Sequence, residues 1–131
     1  MILVLLPAYN EEESLPRLMP KLQQTLSGMN EDFRILVCND GSKDRTQAML
    51  DQYAAEMPIE IIRHKINRGL GESSRDLFER AGEIVQEGDV IVRLDCDDTH
   101  EPEFIPSIVE KVRSGYDVVI ASRFAPGGGQ L

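Results

Sequence analysis

Short apolar runs alternate with longer amphipathic stretches along the whole chain, and no other feature of the sequence limits the fold as strongly. Residues 2–6, 35–38, 59–62, 90–94 and 118–121 are apolar runs of strand length. Each but the last is followed by a stretch of helical length with an apolar face. Strand and helix in strict alternation predict an α/β domain over residues 1–131: a mostly parallel, Rossmann-like sheet, with right-handed crossovers and helices on both faces.

Local signals set the boundaries. Pro7 stops the first strand, and Leu15, Leu18, Met19, Leu22 and Leu26 then recur at helical spacing until Gly28 and Asn30. The second strand is stopped by Asn39-Asp40-Gly41-Ser42. Asp44 is placed to cap the next helix, with Gln47 completing a capping-box-like pair and Ala48, Met49, Tyr53 and Met57 on the inner face. Residues 64–71, His64 included, read as a glycine-containing loop. A helix over 72–86 turns Leu77, Phe78, Ala81, Ile84 and Val85 inward, and one over 103–114 does so with Phe104, Ile108, Val109 and Val112. The glycine-rich tail after Pro126 carries no packing signal.

Composition excludes several functions. With 14 Lys and Arg against 23 Asp and Glu the net charge is −9, which opposes general nucleic-acid binding and a polybasic membrane anchor. Aromatic residues are 5% and Trp is absent, so a base-stacking platform for nucleic acid is not expected. Cys38 and Cys96 lack the spacing of a disulfide framework or a zinc site and read as reduced core thiols of a cytoplasmic chain. The apolar stretch from Met1 to Ala8 is too short for a signal-peptide core or a membrane span.

Parallel α/β sheets bind ligands beyond the carboxyl ends of their strands. The loops there hold Pro7-Ala8-Tyr9-Asn10-Glu11, Asn39-Asp40-Gly41-Ser42 and Asp95-Cys96-Asp97-Asp98-Thr99-His100, a concentration of carboxylates, Asn and Tyr. Asp95, Asp97 and Asp98 put three carboxylates within four residues, which repel one another unless a cation intervenes. Magnesium is commonly held by one or two carboxylates plus substrate phosphates. The plainer alternative is an acidic loop capping the helix that follows. Asp40 is an acceptor for a base N–H or a ribose hydroxyl, or else an ordinary exposed turn residue. Neither a G-x-G-x-x-G fingerprint nor a Walker loop is present. Lys65, Arg68 and Arg123 are candidates for phosphate contact or simply surface charges, and His64 and His100 have no partners at zinc spacing.

Taken in order, five stretches resemble the family-2 glycosyltransferases, inverting enzymes with the GT-A fold. They are Leu5-Leu6-Pro7-Ala8-Tyr9-Asn10-Glu11, Val37-Cys38-Asn39-Asp40-Gly41-Ser42-Lys43-Asp44-Arg45-Thr46, Asn67-Arg68-Gly69-Leu70-Gly71, Asp95-Cys96-Asp97-Asp98-Thr99-His100-Glu101-Pro102 and Ala121-Ser122-Arg123-Phe124. The branch looks like the polyprenyl-phosphate (dolichol-phosphate) mannosyl- or glucosyltransferases. The resemblance implies that Pro7, Tyr9 and Glu11 line a nucleotide pocket, that Cys38 and Asp40 meet base and ribose, and that Arg123 meets the diphosphate. It makes Asp95 and Asp97 the catalytic DxD pair, holding Mg2+ or Mn2+ with Thr99 near the metal and Cys96 between them in the nucleotide site. The implied donor is a GDP- or UDP-sugar and the implied acceptor a lipid phosphate at a membrane surface, with no nucleic acid involved. Asn39 stands where the family usually has Asp, and Glu72-Ser73-Ser74-Arg75-Asp76 replaces its usual small-residue run. On this comparison residues 1–131 cover the nucleotide-sugar-binding part, and the acceptor-side portion is not among them. The sheet surface such a portion would cover favours self-association into a homo-oligomer.

Two other readings compete. A nucleotide-binding domain without turnover fits the same residues. A haloacid-dehalogenase-type phosphatase fits Asp95-x-Asp97-x-Thr99 locally, but that motif normally follows the first strand rather than the fourth.

Overall fold

The computed structural model describes residues 1–96 and 102–115. Four strands and four helices alternate: β1 (Ile2–Ala8), α1 (Leu15–Ser27), β2 (Phe33–Asp40), α2 (Thr46–Ala54), β3 (Ile59–His64), α3 (Leu70–Ile84), β4 (Val90–Arg93) and α4 (Ile105–Arg113), the last entered by a single 3-10 turn at Pro102–Phe104. The strands pair in the order β3-β2-β1-β4, and every pairing is parallel. The fifth strand expected at 118–121 lies outside the described residues.

Alternating side chains of β1 feed two cores. Ile2, Val4, Leu6 and Ala8 pack with α1, Leu50 of α2, and Ile105, Ile108 and Val109 of α4. Leu3 and Leu5 join Leu36, Cys38, and Leu77 and Ala81 of α3 on the opposite face. Both faces of β1 are therefore covered, which explains its uninterrupted apolar run. Three helices share one face and α3 takes the other.

The strand order also fixes where a ligand can sit. From β1 the chain moves outward through β2 to β3, then returns across the opposite face to place β4 on the other side of β1. The direction reverses between β1 and β4, and that is where α/β sheets open a crevice.

Two strands run further than their turn residues suggest. β1 continues through Pro7 to Ala8, with Pro7 opposite Cys38. The Ile2 N–H bonds to the Asp32 carbonyl on the β2 side, while the Leu94 N–H bonds to the Leu5 carbonyl on the β4 side. Odd residues of β1 thus point their backbone groups towards β4, whose pairing ends at Leu5↔Arg93. The donor that proline lacks would have faced the Leu94 carbonyl, so the β1–β4 ladder stops there while the β1–β2 ladder runs on to Ala8. β2 likewise runs to Asp40, and β3 ends on His64, which is a buried strand residue and not the loop residue the sequence suggests. Phe78 and Phe104, expected to face inward, are about half exposed, and Leu50 takes the core position expected of Ala48, which is exposed.

Candidate functional site

A cleft of about 240 Å³ opens at the reversal point, lined by Pro7, Ala8, Tyr9, Glu11, Asp40, Asn67, Leu70, Ser73, Asp95 and Cys96. Its walls come from the carboxyl ends of β1 and β2, the start of α3 and the segment after β4. Six of the residues singled out in the sequence meet here: Pro7, Tyr9, Glu11, Asp40, Asp95 and Cys96. Cys38 does not line it; the thiol is fully buried in the α3-side core. Both cysteines are buried and neither forms a disulfide, as expected of core thiols. Asp97, Thr99 and Arg123 lie outside the described residues, as do Asp98 and His100.

Two loops are laced together to hold the Tyr9–Glu11 wall. Asn10 adopts φ 51°, a left-handed conformation that Asn tolerates, and its Oδ1 accepts from the Lys43 N–H at 2.9 Å. Its own N–H donates to Ser42 Oγ at 2.9 Å. The Glu11 N–H donates to Thr46 Oγ1 at 2.8 Å, and the Glu12 N–H to Asp44 Oδ2 at 3.3 Å. Asp44 Oδ1 in turn accepts from the Thr46 N–H at 2.9 Å. Asp44 therefore serves the start of α2, as expected, but from one residue before the helix N-cap and while tying down the β1 loop. Gln47 forms no capping box; it accepts from Asn39 Nδ2 at 2.8 Å and donates to Asp51 at 3.0 Å.

Asp40 is 3% exposed, not the exposed turn residue the sequence suggests. Its Oδ1 accepts from the Arg68 N–H at 2.8 Å and faces His64 Nδ1 at 2.8 Å. Its Oδ2 accepts from the Gly69 N–H at 2.9 Å. Burial alone would raise the Asp40 pKa, but His64 and the two backbone donors outweigh it and hold the carboxyl below its ordinary range. The carboxylate so binds β2, β3 and the entry to α3 together, and one lone pair of Oδ2 has no donor among the described residues.

The other ring nitrogen of His64 lies 2.6 Å from Asp76 Oδ2 on α3. Burial disfavours charge on this imidazole, yet Asp40 and Asp76 together raise its pKa above the ordinary histidine value. Cys38 Sγ sits 3.7 and 3.9 Å from the two ring nitrogens, nearly equidistant, so it packs on the ring face. Burial pushes the Cys38 thiol pKa up. Neither His64 nor Asp76 was marked as a site residue by the sequence. The register pair Asp40↔His64 brings the first into place. The only sequence hint for the second is a carboxylate directly beside Leu77 on the inward stripe of α3.

Gly41 allows the loop after β3 to approach. It has φ 70°, and a Cβ there would lie 2.3 Å from the Asn67 nitrogen and 2.4 Å from the Ile66 carbonyl carbon. Asn67 Nδ2 also donates to the Asp40 carbonyl at 3.2 Å.

Across the cleft Asp95 is partly exposed, with its Oδ1 3.5 Å from Arg93 Nη1. Ser73, in the first turns of α3, is 1% exposed; its hydroxyl interacts with the Cys38 thiol, a weak partner, and its Oγ makes no regular hydrogen bond among the described residues. Among the described residues no three His, Cys, Asp or Glu side chains are grouped closely enough to hold a metal ion on their own. No helix among them is long and apolar enough to cross a membrane.

Comparison with known proteins agrees with this geometry. The sequence model of glycosyl transferase family 2 matches residues 3–131. The dolichol-phosphate mannosyltransferase of Pyrococcus furiosus is 35% identical over 125 residues, covering 95% of this chain and 34% of its own length. The undecaprenyl-phosphate 4-deoxy-4-formamido-L-arabinose transferase of Enterobacter sp. strain 638 is 39% identical over 116 residues, covering 88% of this chain and 35% of its own. This chain thus spans about a third of the length of the curated relatives it matches. Among solved structures, S. aureus TarS 1–349 in complex with UDP-GlcNAc superposes with a TM-score of 0.68 at 18% identity, over 95% of this chain and 38% of that one. At that identity the likeness speaks for the GT-A fold alone.

Proposed function

The chain belongs to glycosyl transferase family 2, and from that membership we propose that it forms the nucleotide-sugar-binding part of an enzyme passing a sugar to a polyprenyl phosphate with inversion at the anomeric carbon. Membership sets aside the phosphatase reading of Asp95-x-Asp97. The observation that carries the proposal is the cleft at the β1/β4 reversal, where Pro7, Tyr9, Glu11, Asp40 and Asp95 converge from three separate stretches of sequence. A GDP- or UDP-sugar is the donor, and the relatives' names supply the acceptor class.

Each residue has a role suited to its surroundings. Tyr9 is 43% exposed and offers a ring face to the nucleoside. The open lone pair of Asp40 Oδ2 accepts one N–H or hydroxyl from it. Cys38 supports this wall from within the core, and Cys96 closes the floor. Glu11, fixed through its backbone by Thr46, lines the same wall.

A divalent metal fits the donor set. Asp95 is a hard oxygen ligand on the cleft wall, its side chain 35% exposed and so reachable by a ligand. Asp95 and Asp97 would hold Mg2+ or Mn2+, with Thr99 beside it and Arg123 against the diphosphate. When bound, the metal supplies positive charge to the leaving nucleoside diphosphate. A phosphate acceptor is ionised near neutral pH, so attack requires orientation of the acceptor more than a general base.

A thermal-shift panel of nucleoside diphosphates and nucleotide sugars, with Mn2+ or with EDTA, tests the reading. One nucleotide family should stabilise the chain, by about 2.7 kcal/mol at a hundred-fold excess over Kd, and EDTA should abolish most of the effect. Equal stabilisation with EDTA would remove the metal role, and no stabilisation by any nucleotide would overturn the reading. Release of nucleoside diphosphate that depends on added polyprenyl phosphate tests transfer. Binding without release would leave the chain a nucleotide-binding unit.

A further inference from the structure

We propose that His64 is a positioning residue for nucleotide recognition: held as an imidazolium between Asp40 and Asp76, it fixes the Asp40 carboxylate at the edge of the cleft. The inference rests on the nucleotide reading given above.

The geometry is a matter of counting protons. The two ring nitrogens face carboxylate oxygens at 2.8 and 2.6 Å. Ionised carboxylates only accept, and a neutral imidazole donates from one nitrogen alone. A neutral ring would turn a lone pair towards one of the two oxygens, at a site where His64 is 5% exposed. Only the imidazolium satisfies both contacts. The charged and titratable groups around it are Cys38 and Asp40 from β2, Asp76 from α3, and Arg68 from the loop between β3 and α3, whose charge reaches Cys38. Asp76, with its side chain 27% exposed, is the end of the network nearest solvent.

Asp40 is the only member of this network that lines the cleft. Its orientation there depends on three donors, of which the Arg68 and Gly69 N–H groups are permanent and the His64 proton is not. A neutral ring keeps one N–H for two carboxylates, so Asp40 loses the charge assistance of its His64 contact and, in the tautomer that faces Asp76, the bond itself. The sign follows from the raised pKa of His64: the clamp is complete at low pH and released as pH rises through the folded value.

The test joins two readouts on the intact chain. The chain has two histidines, so a His100→Gln variant assigns the His64 imidazole signal, and its NMR titration gives the midpoint without any nucleotide. Calorimetry with UDP and with GDP, each in Mg2+, then follows affinity from pH 6 to 9. We expect His64 to be an imidazolium at neutral pH. We expect affinity to fall roughly ten-fold through the NMR midpoint, the loss for a hydrogen bond to a charged group. His64→Gln should lack that step and sit at the level of the alkaline wild type. The second variant, Asp76→Asn, keeps an acceptor oxygen but removes one charge, and should move the NMR midpoint and the affinity step to lower pH together. A ring that is neutral at pH 7, or an affinity that stays flat while His64 titrates, would overturn the inference alone. Absence of nucleotide binding at every pH would overturn the function reading and this inference with it.

Discussion

Replacing Asp40 with alanine should unfold a sizeable part of the protein's stability as well as remove a cleft residue. The substitution strips the acceptor from three donors: His64 Nδ1, the Arg68 N–H and the Gly69 N–H. Each buried donor left unsatisfied costs about 1–3 kcal/mol. Water entering from the adjacent cleft recovers some of this, so the sum should fall at about 3–6 kcal/mol, against a typical total of about 5–15 kcal/mol. The Asn67 Nδ2 bond goes to the Asp40 backbone carbonyl and is untouched. Urea unfolding at pH 7 provides the measurement, followed by far-UV circular dichroism because the chain has no Trp. The pH dependence gives a second check. Asp40 has a lowered folded pKa, so its contribution is complete above the ordinary value of 3.8 and lost as pH falls through the folded value. His64 has a raised one, so its contribution is complete below 6.5 and lost as pH rises through the folded value. Both limbs should flatten in the variant. A loss under about 1 kcal/mol, the net worth of one ordinary hydrogen bond, would show that Asp40 does not bind the three elements together.

Two further substitutions probe the frame and the cleft. Gly41→Ala should destabilise by about 3 kcal/mol or more, from the left-handed backbone and from overlap with the Asn67 and Ile66 backbone; calorimetric melting would reveal it, and a change within 0.5 kcal/mol, the range of an ordinary surface substitution, would mean the loops are not in contact. Ser73→Ala removes a buried hydroxyl whose described contact is only the weakly polar Cys38 thiol, so stability should change by less than about 1 kcal/mol while nucleotide affinity falls. A clear loss of stability would mean the hydroxyl is already satisfied within the protein.

Much of this architecture was readable because it depends on periodicity. The apolar runs located all four described strands, and the helical spacing of Leu15, Leu18, Met19, Leu22 and Leu26 placed α1 with each of those residues fully buried. Ends of strands were less legible. Pro7 and Asn39-Asp40 are turn formers in isolation, and they remain in strands here because of which neighbour their backbone groups face. The cleft residues Tyr9, Glu11, Asp40 and Asp95 were found by the rule that ligands gather at strand carboxyl ends. His64 and Asp76 escaped it. Their proximity to Asp40 follows from a register and a crossover, neither of which leaves a trace in local sequence. Phe78 and Phe104 were misplaced for a related reason: an apolar residue beside a buried stripe need not share its burial.

The contact of Gly41 with the backbone of Ile66 and Asn67 also bears on how such a site can diversify. The turn after β2 and the segment leading into α3 fit one inside the other through main-chain atoms, and the β1 loop is pinned to the same turn by Ser42, Lys43 and Thr46. Lengthening any one of these three segments would displace the other two. Side chains that line the opening, such as Tyr9 and Leu70, carry no such obligation to the frame as a whole. Variation among chains built on this pattern should therefore appear as residue exchange at constant loop length, with insertions and deletions excluded from residues 9–12, 41–46 and 65–69 and admitted elsewhere on the surface.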